Sequence, residues 1–118
     1  MEKLFDAELR LMEIIWEREP ISAKDISSLA AEQLGWNKNT TYTVIKRLIE
    51  KNVLKRTEPN FICTSILKRK DVQKSETKTL IEKLFGGSKQ AFFAAFADEQ
   101  LSQDEINALK QLINKKKA

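Results

Sequence analysis

Apolar residues recur every three or four positions through the first half of the chain, as they do on the buried face of a helix. The first stripe comprises Phe5, Leu9, Met12 and Trp16. A second stripe follows Ser22, a typical N-cap residue, and ends before Gly35. A third follows Asn37 and Asn39, either of which can cap it, and its inward positions are Val44, Ile45, Leu48 and Ile49. We therefore predict three consecutive helices.

The pattern changes after Asn52. Residues 53–57 and 61–65 are rich in β-branched and aromatic side chains, and Glu58-Pro59-Asn60 between them is typical of a turn. These residues predict a short β-hairpin, which we call the wing. Three helices followed by a wing is the order of a winged helix-turn-helix, and we predict such a DNA-binding domain over residues 1–66.

The remaining residues, 67–118, predict helices only, and we call this segment the arm. Helical spacing over residues 77–85 ends at Gly86-Gly87, a short helix follows Ser88, and Ser102 with Glu105 forms a capping box that opens a last helix. The predicted fold class is thus mainly α with a small β-hairpin: a winged helix-turn-helix followed by a helical dimerisation arm.

The apolar residues of the arm have little to pack against within one chain, because a wing and three helices make a thin core. Aromatic side chains in such segments often form interfaces. We therefore expect a homodimer held by Leu80, Leu84, Phe85, Phe92, Phe93, Phe96, Leu101, Ile106, Leu109, Leu112 and Ile113. The alternative is that the arm folds back onto its own winged helix as core.

Composition excludes much catalytic chemistry. The sequence has no histidine, and Cys63 is its only cysteine. An intrachain disulfide, a His/Cys metal site within one protomer and histidine-based acid–base catalysis are therefore excluded, and we expect neither an enzyme nor a cofactor. The longest apolar stretch, residues 91–97, is short of the ~20 residues a membrane span needs, and the first residues lack a secretory signal pattern. We expect a cytoplasmic protein that does not insert into membranes.

The net charge of +4 is distributed unevenly. Residues 37–56 carry six basic side chains and one acidic one, whereas residues 1–36 carry four and eight. Donor-rich side chains on a basic helix can reach the phosphates and base edges of a DNA major groove. We predict double-stranded DNA as the partner, contacted by Lys38, Asn39, Thr40, Tyr42, Thr43, Lys46, Arg47, Lys55, Arg56 and Asn60. Alternatives are a winged helix that binds another protein, or a small-molecule sensor, for which the sequence marks no pocket.

Several motifs resemble the penicillinase (β-lactamase) and methicillin-resistance repressor family. Residues 5–16 are similar to its opening helix, with Asp6 in place of the usual Ser. Its recognition helix is matched by Thr40, Thr43, Arg47 and Leu48, and its strand entry by Lys51 and residues 53–56. Residues 84–88, Leu-Phe-Gly-Gly-Ser, resemble its junction, and residues 101–109 resemble its last helix.

The resemblance implies a homodimer with intertwined C-terminal helices that represses transcription from a palindromic operator of β-lactamase or penicillin-binding-protein genes. In the family, a membrane-bound β-lactam sensor protease relieves repression by cutting an Asn-Phe bond of the arm. That bond falls on Ala95-Phe96, where Phe96 matches and Ala95 departs from the pattern. Tyr42 also departs from the family pattern, which implies a different operator.

A related branch, the copper-responsive repressors, resembles the N-terminal half of the chain. That branch carries a cysteine-rich tail, whereas this sequence ends in Lys115-Lys116-Lys117-Ala118. A copper-responsive repressor lacking its cysteine tail is therefore the remaining alternative within the resemblance.

Overall fold

The computed structural model describes residues 3–117, so residues 1, 2 and 118 of the predicted domain ranges lie outside it. Helices and strands follow one another in an order that confirms the predicted fold class. They are α1 (Asp6–Arg18), β1 (Ile21–Ser22), α2 (Ala23–Leu34), α3 (Lys38–Glu50), β2 (Leu54–Thr57), β3 (Ile62–Ser65), α4 (Arg69–Phe85), α5 (Lys89–Ala97) and α6 (Gln103–Lys117).

Local hydrogen bonds explain where α2 begins and ends. The Ser22 hydroxyl accepts from the Asp25 N–H at 3.1 Å, which satisfies one of the free donors of the first turn. At the other end Gly35 adopts a left-handed conformation with φ 70°, which costs glycine little. The chain can therefore turn sharply from α2 into α3, as a helix-turn-helix requires.

The three strands form one antiparallel sheet in the order β1-β3-β2. The predicted wing is β2 and β3, which pair Leu54 with Ser65 and Thr57 with Ile62. β1 was not predicted, because its two residues are too few to show an alternating pattern. β1 pairs Ile21 with Cys63 and Ser22 with Ile62, and so holds β3 beside the start of α2.

The core of the winged helix lies between the first three helices and the sheet. It contains Leu11, Ile15, Ile26, Ile45 and Leu48, all inaccessible to solvent. Cys63 is also buried in this core, and burial raises the pKa of its thiol to about 11. The inward positions predicted for α3 at residues 44, 45 and 48 are therefore confirmed.

The chain divides into two compact units, the first ending at Ser75 and the second beginning at Glu76. This division lies after the boundary expected at residues 66 and 67, because the start of α4 belongs to the first unit. Val72 is buried in the core of that unit, and the Trp16 indole N–H donates to the Leu67 carbonyl at 2.9 Å. Arg69 also pairs with Glu13 at 2.8 Å.

The second unit contains the rest of α4 together with α5 and α6. Ser88 caps α5 by accepting from the Ala91 N–H at 3.0 Å. Ser102 and Glu105 form the predicted reciprocal capping box, with distances of 2.8 and 3.1 Å. Hydrogen bonding from the backbone N–H and the side chain of Ser102 lowers the pKa of Glu105. Over residues 3–117, every helix is too short or too polar to cross a bilayer.

Candidate nucleic-acid interface

One side of α3 is buried and the other faces solvent. Asn37 caps the start of the helix, and its side-chain oxygen accepts from the Thr40 N–H at 2.8 Å. The buried side holds Thr41, Val44, Ile45 and Leu48. The exposed side presents five residues predicted to contact DNA, namely Asn39, Thr40, Thr43, Lys46 and Arg47.

Thr43 is held in a defined orientation on this exposed side. Its hydroxyl donates to the Asn39 carbonyl at 2.8 Å, one turn back along α3. A hydroxyl has one hydrogen and two lone pairs, so this bond leaves Thr43 as an acceptor with an adjacent methyl group.

Tyr42 lies at the junction of α3 and the wing rather than on the open face. Its side chain is half-buried and packs edge-on against Phe61, with ring centres 6.0 Å apart. The Lys38 ammonium lies 5.8 Å from the Tyr42 ring centre. The predicted contact residues Lys38 and Tyr42 therefore form a cluster with a wing residue that the sequence analysis did not select.

The wing places Lys55, Arg56 and Asn60 at the surface. Arg56 is not free there, because its Nε–H donates to the Glu58 carboxylate and its guanidinium carbon lies 3.6 Å from the Phe61 ring centre. Glu58 also accepts from the Phe61 N–H at 3.2 Å. The hydrogen bonds from Arg56 and Phe61 hold the pKa of Glu58 below its usual range.

A buried carboxylate links α1 to the C-terminal end of α3. Glu8 is inaccessible to solvent, and its Oε1 accepts from Lys51 Nζ at 2.8 Å and from the Phe5 N–H at 2.8 Å. Its Oε2 lies 4.0 Å from Arg47 Nε, too far for a hydrogen bond. Burial alone would raise the pKa of Glu8, but the bonds from Lys51 and Phe5, with the charges of Lys51 and Arg47, lower it.

These contacts reduce the cationic surface that the sequence predicts. Lys51 is committed to Glu8, and Arg56 is paired with Glu58. The exposed lysines at positions 38, 46 and 55, together with Arg47, whose side chain is 48% exposed, provide the remaining accessible positive charge of residues 37–56. Lys38 lies at the start of α3, Lys46 and Arg47 lie further along it, and Lys55 lies on the wing.

Three helices with an antiparallel wing, and a third helix that turns polar and cationic side chains outward, define a winged-helix DNA-binding protein. The family model described as "Penicillinase repressor" matches residues 4–115. The chain belongs to the penicillinase repressor family, as its motifs predict, and is a DNA-binding transcriptional repressor.

Curated relatives match over nearly the whole chain. The methicillin resistance regulatory protein MecI of Staphylococcus aureus is 32% identical over 117 residues, which cover 97% of this chain and 95% of that relative. The penicillinase repressor of the same species is 32% identical over 111 residues, covering 92% and 88%. By name, one of these relatives is a regulator of methicillin resistance and the other is a repressor of penicillinase.

A solved structure supports the fold of the winged helix. The chain is similar to monomeric BlaI of Bacillus licheniformis, determined in complex with the blaP half-operator, with a TM-score of 0.54 and 26% identity. The match covers 59% of this chain and 88% of that one. The individual contact residues of the present chain remain predictions.

Proposed function

We propose that two copies of this chain bind a palindromic operator as a homodimer and repress genes of the β-lactamase or penicillin-binding-protein type. The observation that carries this proposal is the exposed side of α3, where Asn39, Thr43 and Lys46 point away from the core on successive turns. In the proposed complex this side enters the major groove, while Lys55 of the wing lies near the phosphate backbone. The BlaI complex with its half-operator supports the arrangement by similarity.

The arm supports the dimer because it exposes apolar side chains within one chain. Seven of the predicted interface residues are exposed, from 37% for Leu109 to 68% for Leu84. Four others are half-buried, namely Phe85, Phe92, Leu101 and Ile106. Phe92 lies at the centre of a ring cluster, 5.7 Å from Phe85 and 5.5 Å from Phe93. Exposed apolar patches of this kind mark interaction surfaces, and a second copy with the same patch is the simplest partner.

Release from the operator is proposed to act through the arm. Ala95 and Phe96 are exposed near the end of α5, and they occupy the positions of the family's cleaved bond. We infer that a membrane-bound sensor protease is the partner that cuts here. Intact-mass measurement on protein recovered from cells treated with a β-lactam tests this step. Two fragments that separate at residues 95 and 96 are expected, and an uncut chain in derepressed cells would contradict it.

DNA binding is tested by fluorescence anisotropy with operators selected from random duplexes. If the dimer contacts ~6–10 phosphates, affinity falls ~10³–10⁵-fold between 50 and 200 mM salt. Lys46→Ala should weaken binding to every duplex and flatten the salt dependence, whereas Lys70→Ala, an exposed lysine of α4, should leave both unchanged. Binding to protein partners but to no duplex would instead favour an interaction module.

Dimerisation is tested by analytical ultracentrifugation over a concentration series. Phe96→Asp places a carboxylate in the proposed apolar interface and should give monomers that bind the operator weakly. Lys89→Asp, an exposed position of the same helix, is the matched control and should remain dimeric. A dimeric Phe96→Asp variant would place the interface elsewhere.

A further inference from the structure

Phe61 occupies a strained position at the tip of the wing. It has φ 51° and follows Asn60 with φ 75°, and the left-handed region is unfavourable for a bulky side chain. The backbone is held there from both sides, because the Phe61 N–H donates to Glu58 and the Phe61 carbonyl accepts from the Ala23 N–H at 2.9 Å. Strain that is held by several bonds often serves a function.

The held side chain lies between the two parts of the proposed DNA surface. On one side the guanidinium of Arg56 lies 3.6 Å from the centre of the Phe61 ring, well within the range of a cation–π contact. On the other side the Tyr42 ring of α3 meets Phe61 edge-on, with an interplanar angle of 80°. Phe61 thus contacts wing and recognition helix at once.

Arg56 is further restrained without losing its capacity to bind. Glu58 takes one of its donors, Nε–H, and a guanidinium has further N–H groups available for a phosphate. An arginine restrained by a ring and a carboxylate loses less rotamer freedom when it binds than a free side chain loses. Lys55, its neighbour on β2, is exposed and serves as a comparison.

We propose that Phe61 is a positioning residue for DNA recognition, which fixes Arg56 of the wing relative to Tyr42 of α3 so that both meet the duplex as one surface. The inference rests on the proposed function and extends it to a residue that is not among the predicted DNA contacts. It requires that the contribution of Arg56 to affinity depend on Phe61, and that the contribution of Lys55 not depend on it.

A double-mutant cycle on the full-length protein tests this requirement. Operator affinity is measured for Arg56→Ala and for Lys55→Ala, each in the wild type and in Phe61→Leu, at one fixed salt concentration. Interacting pairs show coupling that corresponds to a factor of about 2 or more. We expect the loss caused by Arg56→Ala to be at least threefold smaller in Phe61→Leu, by this order-of-magnitude estimate. The loss caused by Lys55→Ala should be equal in both backgrounds.

Two further variants separate positioning from simple loss of structure. Phe61→Tyr keeps the ring and should restore the full effect of Arg56→Ala. Phe61→Met, of similar size without a ring, repeats the cycle if circular dichroism shows that Phe61→Leu is unfolded. If Arg56→Ala causes the same loss of operator affinity in every Phe61 background, the positioning role is overturned, although DNA binding by the wild type would still support the proposed function. Absence of salt-sensitive DNA binding by the wild type would overturn the proposed function itself.

Discussion

Removal of the lysine that pairs with the buried carboxylate should strongly destabilise the winged helix. In Lys51→Met, Glu8 keeps its burial but loses the 2.8 Å bond from the ammonium group. Loss of one partner from a buried ion pair costs about 3–5 kcal/mol. Because the Lys51 side chain is 17% exposed, we expect the lower end, about 3 kcal/mol. For a domain of this size the melting temperature should fall by about 10–20 °C.

The size of this loss should depend on pH. The pKa of Glu8 is lowered in the folded protein, so ionised Glu8 stabilises the fold. This contribution to stability is fully present above the pKa of glutamate in the unfolded chain, about 4.3, and is lost as pH falls through the pKa in the folded protein. In Lys51→Met the largest of the effects that lower the pKa of Glu8 is absent, so this pKa rises from its value in the wild type. Protonation relieves the buried charge, so the deficit of the variant relative to wild type should shrink between pH 7 and pH 3.

Urea unfolding followed by tryptophan fluorescence measures both effects. Lys46→Met is the matched control, because it removes an exposed lysine from the same helix and should change stability by less than about 0.5 kcal/mol. Glu8→Gln combined with Lys51→Met should recover part of the loss, since no charge is left buried. A deficit below about 1 kcal/mol at pH 7, or an equal deficit at both pH values, would refute this account of Glu8.

Two further predictions concern the cap of α3 and the buried thiol. Asn37→Ala removes the acceptor for the Thr40 N–H and should lower the free energy of unfolding by about 0.5–2 kcal/mol. Asn37→Asp keeps an acceptor and should retain most of the wild-type stability. Equal melting temperatures for Asn37→Ala and the wild type would contradict the capping role. Cys63 is inaccessible and burial raises the pKa of its thiol to about 11, so a thiol-reactive dye at pH 8 should label it slowly until urea unfolds the chain. Fast labelling of the folded protein would show that the wing opens.

The sequence was sufficient for the first three helices because apolar residues recur regularly along them, and for the wing because two β-rich runs flank a turn-like tripeptide. It placed the stripe of α1 imperfectly: Phe5 is 58% exposed, while Glu8 is buried. Glu8 lies at helical spacing from Leu4, Leu11 and Met12, so the sequence does place it on the buried face of α1. Burial of a carboxylate can be predicted, however, only when the cation that pairs with it is known. That partner, Lys51, is far away in sequence.

The contacts of the candidate interface were harder to predict for the same reason. Tyr42 and Phe61 belong to different elements, and neither residue's pattern indicates that their rings meet. The carboxylate pairing of Arg56 is local, with Glu58 two residues away, and the sequence does contain that signal. A count of basic residues along the sequence therefore overestimates the positive charge at the surface when some of those residues pair with nearby acidic ones.

If Thr43 enters the major groove as proposed, the orientation of its hydroxyl restricts the operators that the repressor prefers. Since the Thr43 hydroxyl donates its hydrogen to the Asn39 carbonyl, Thr43 would offer the groove only lone pairs and a methyl group. Adenine and cytosine offer amino groups to such an acceptor, and thymine offers its methyl. Guanine presents only acceptors at its own major-groove edge, so a hydrogen bond from Thr43 to guanine would require the hydroxyl to give up its bond to Asn39.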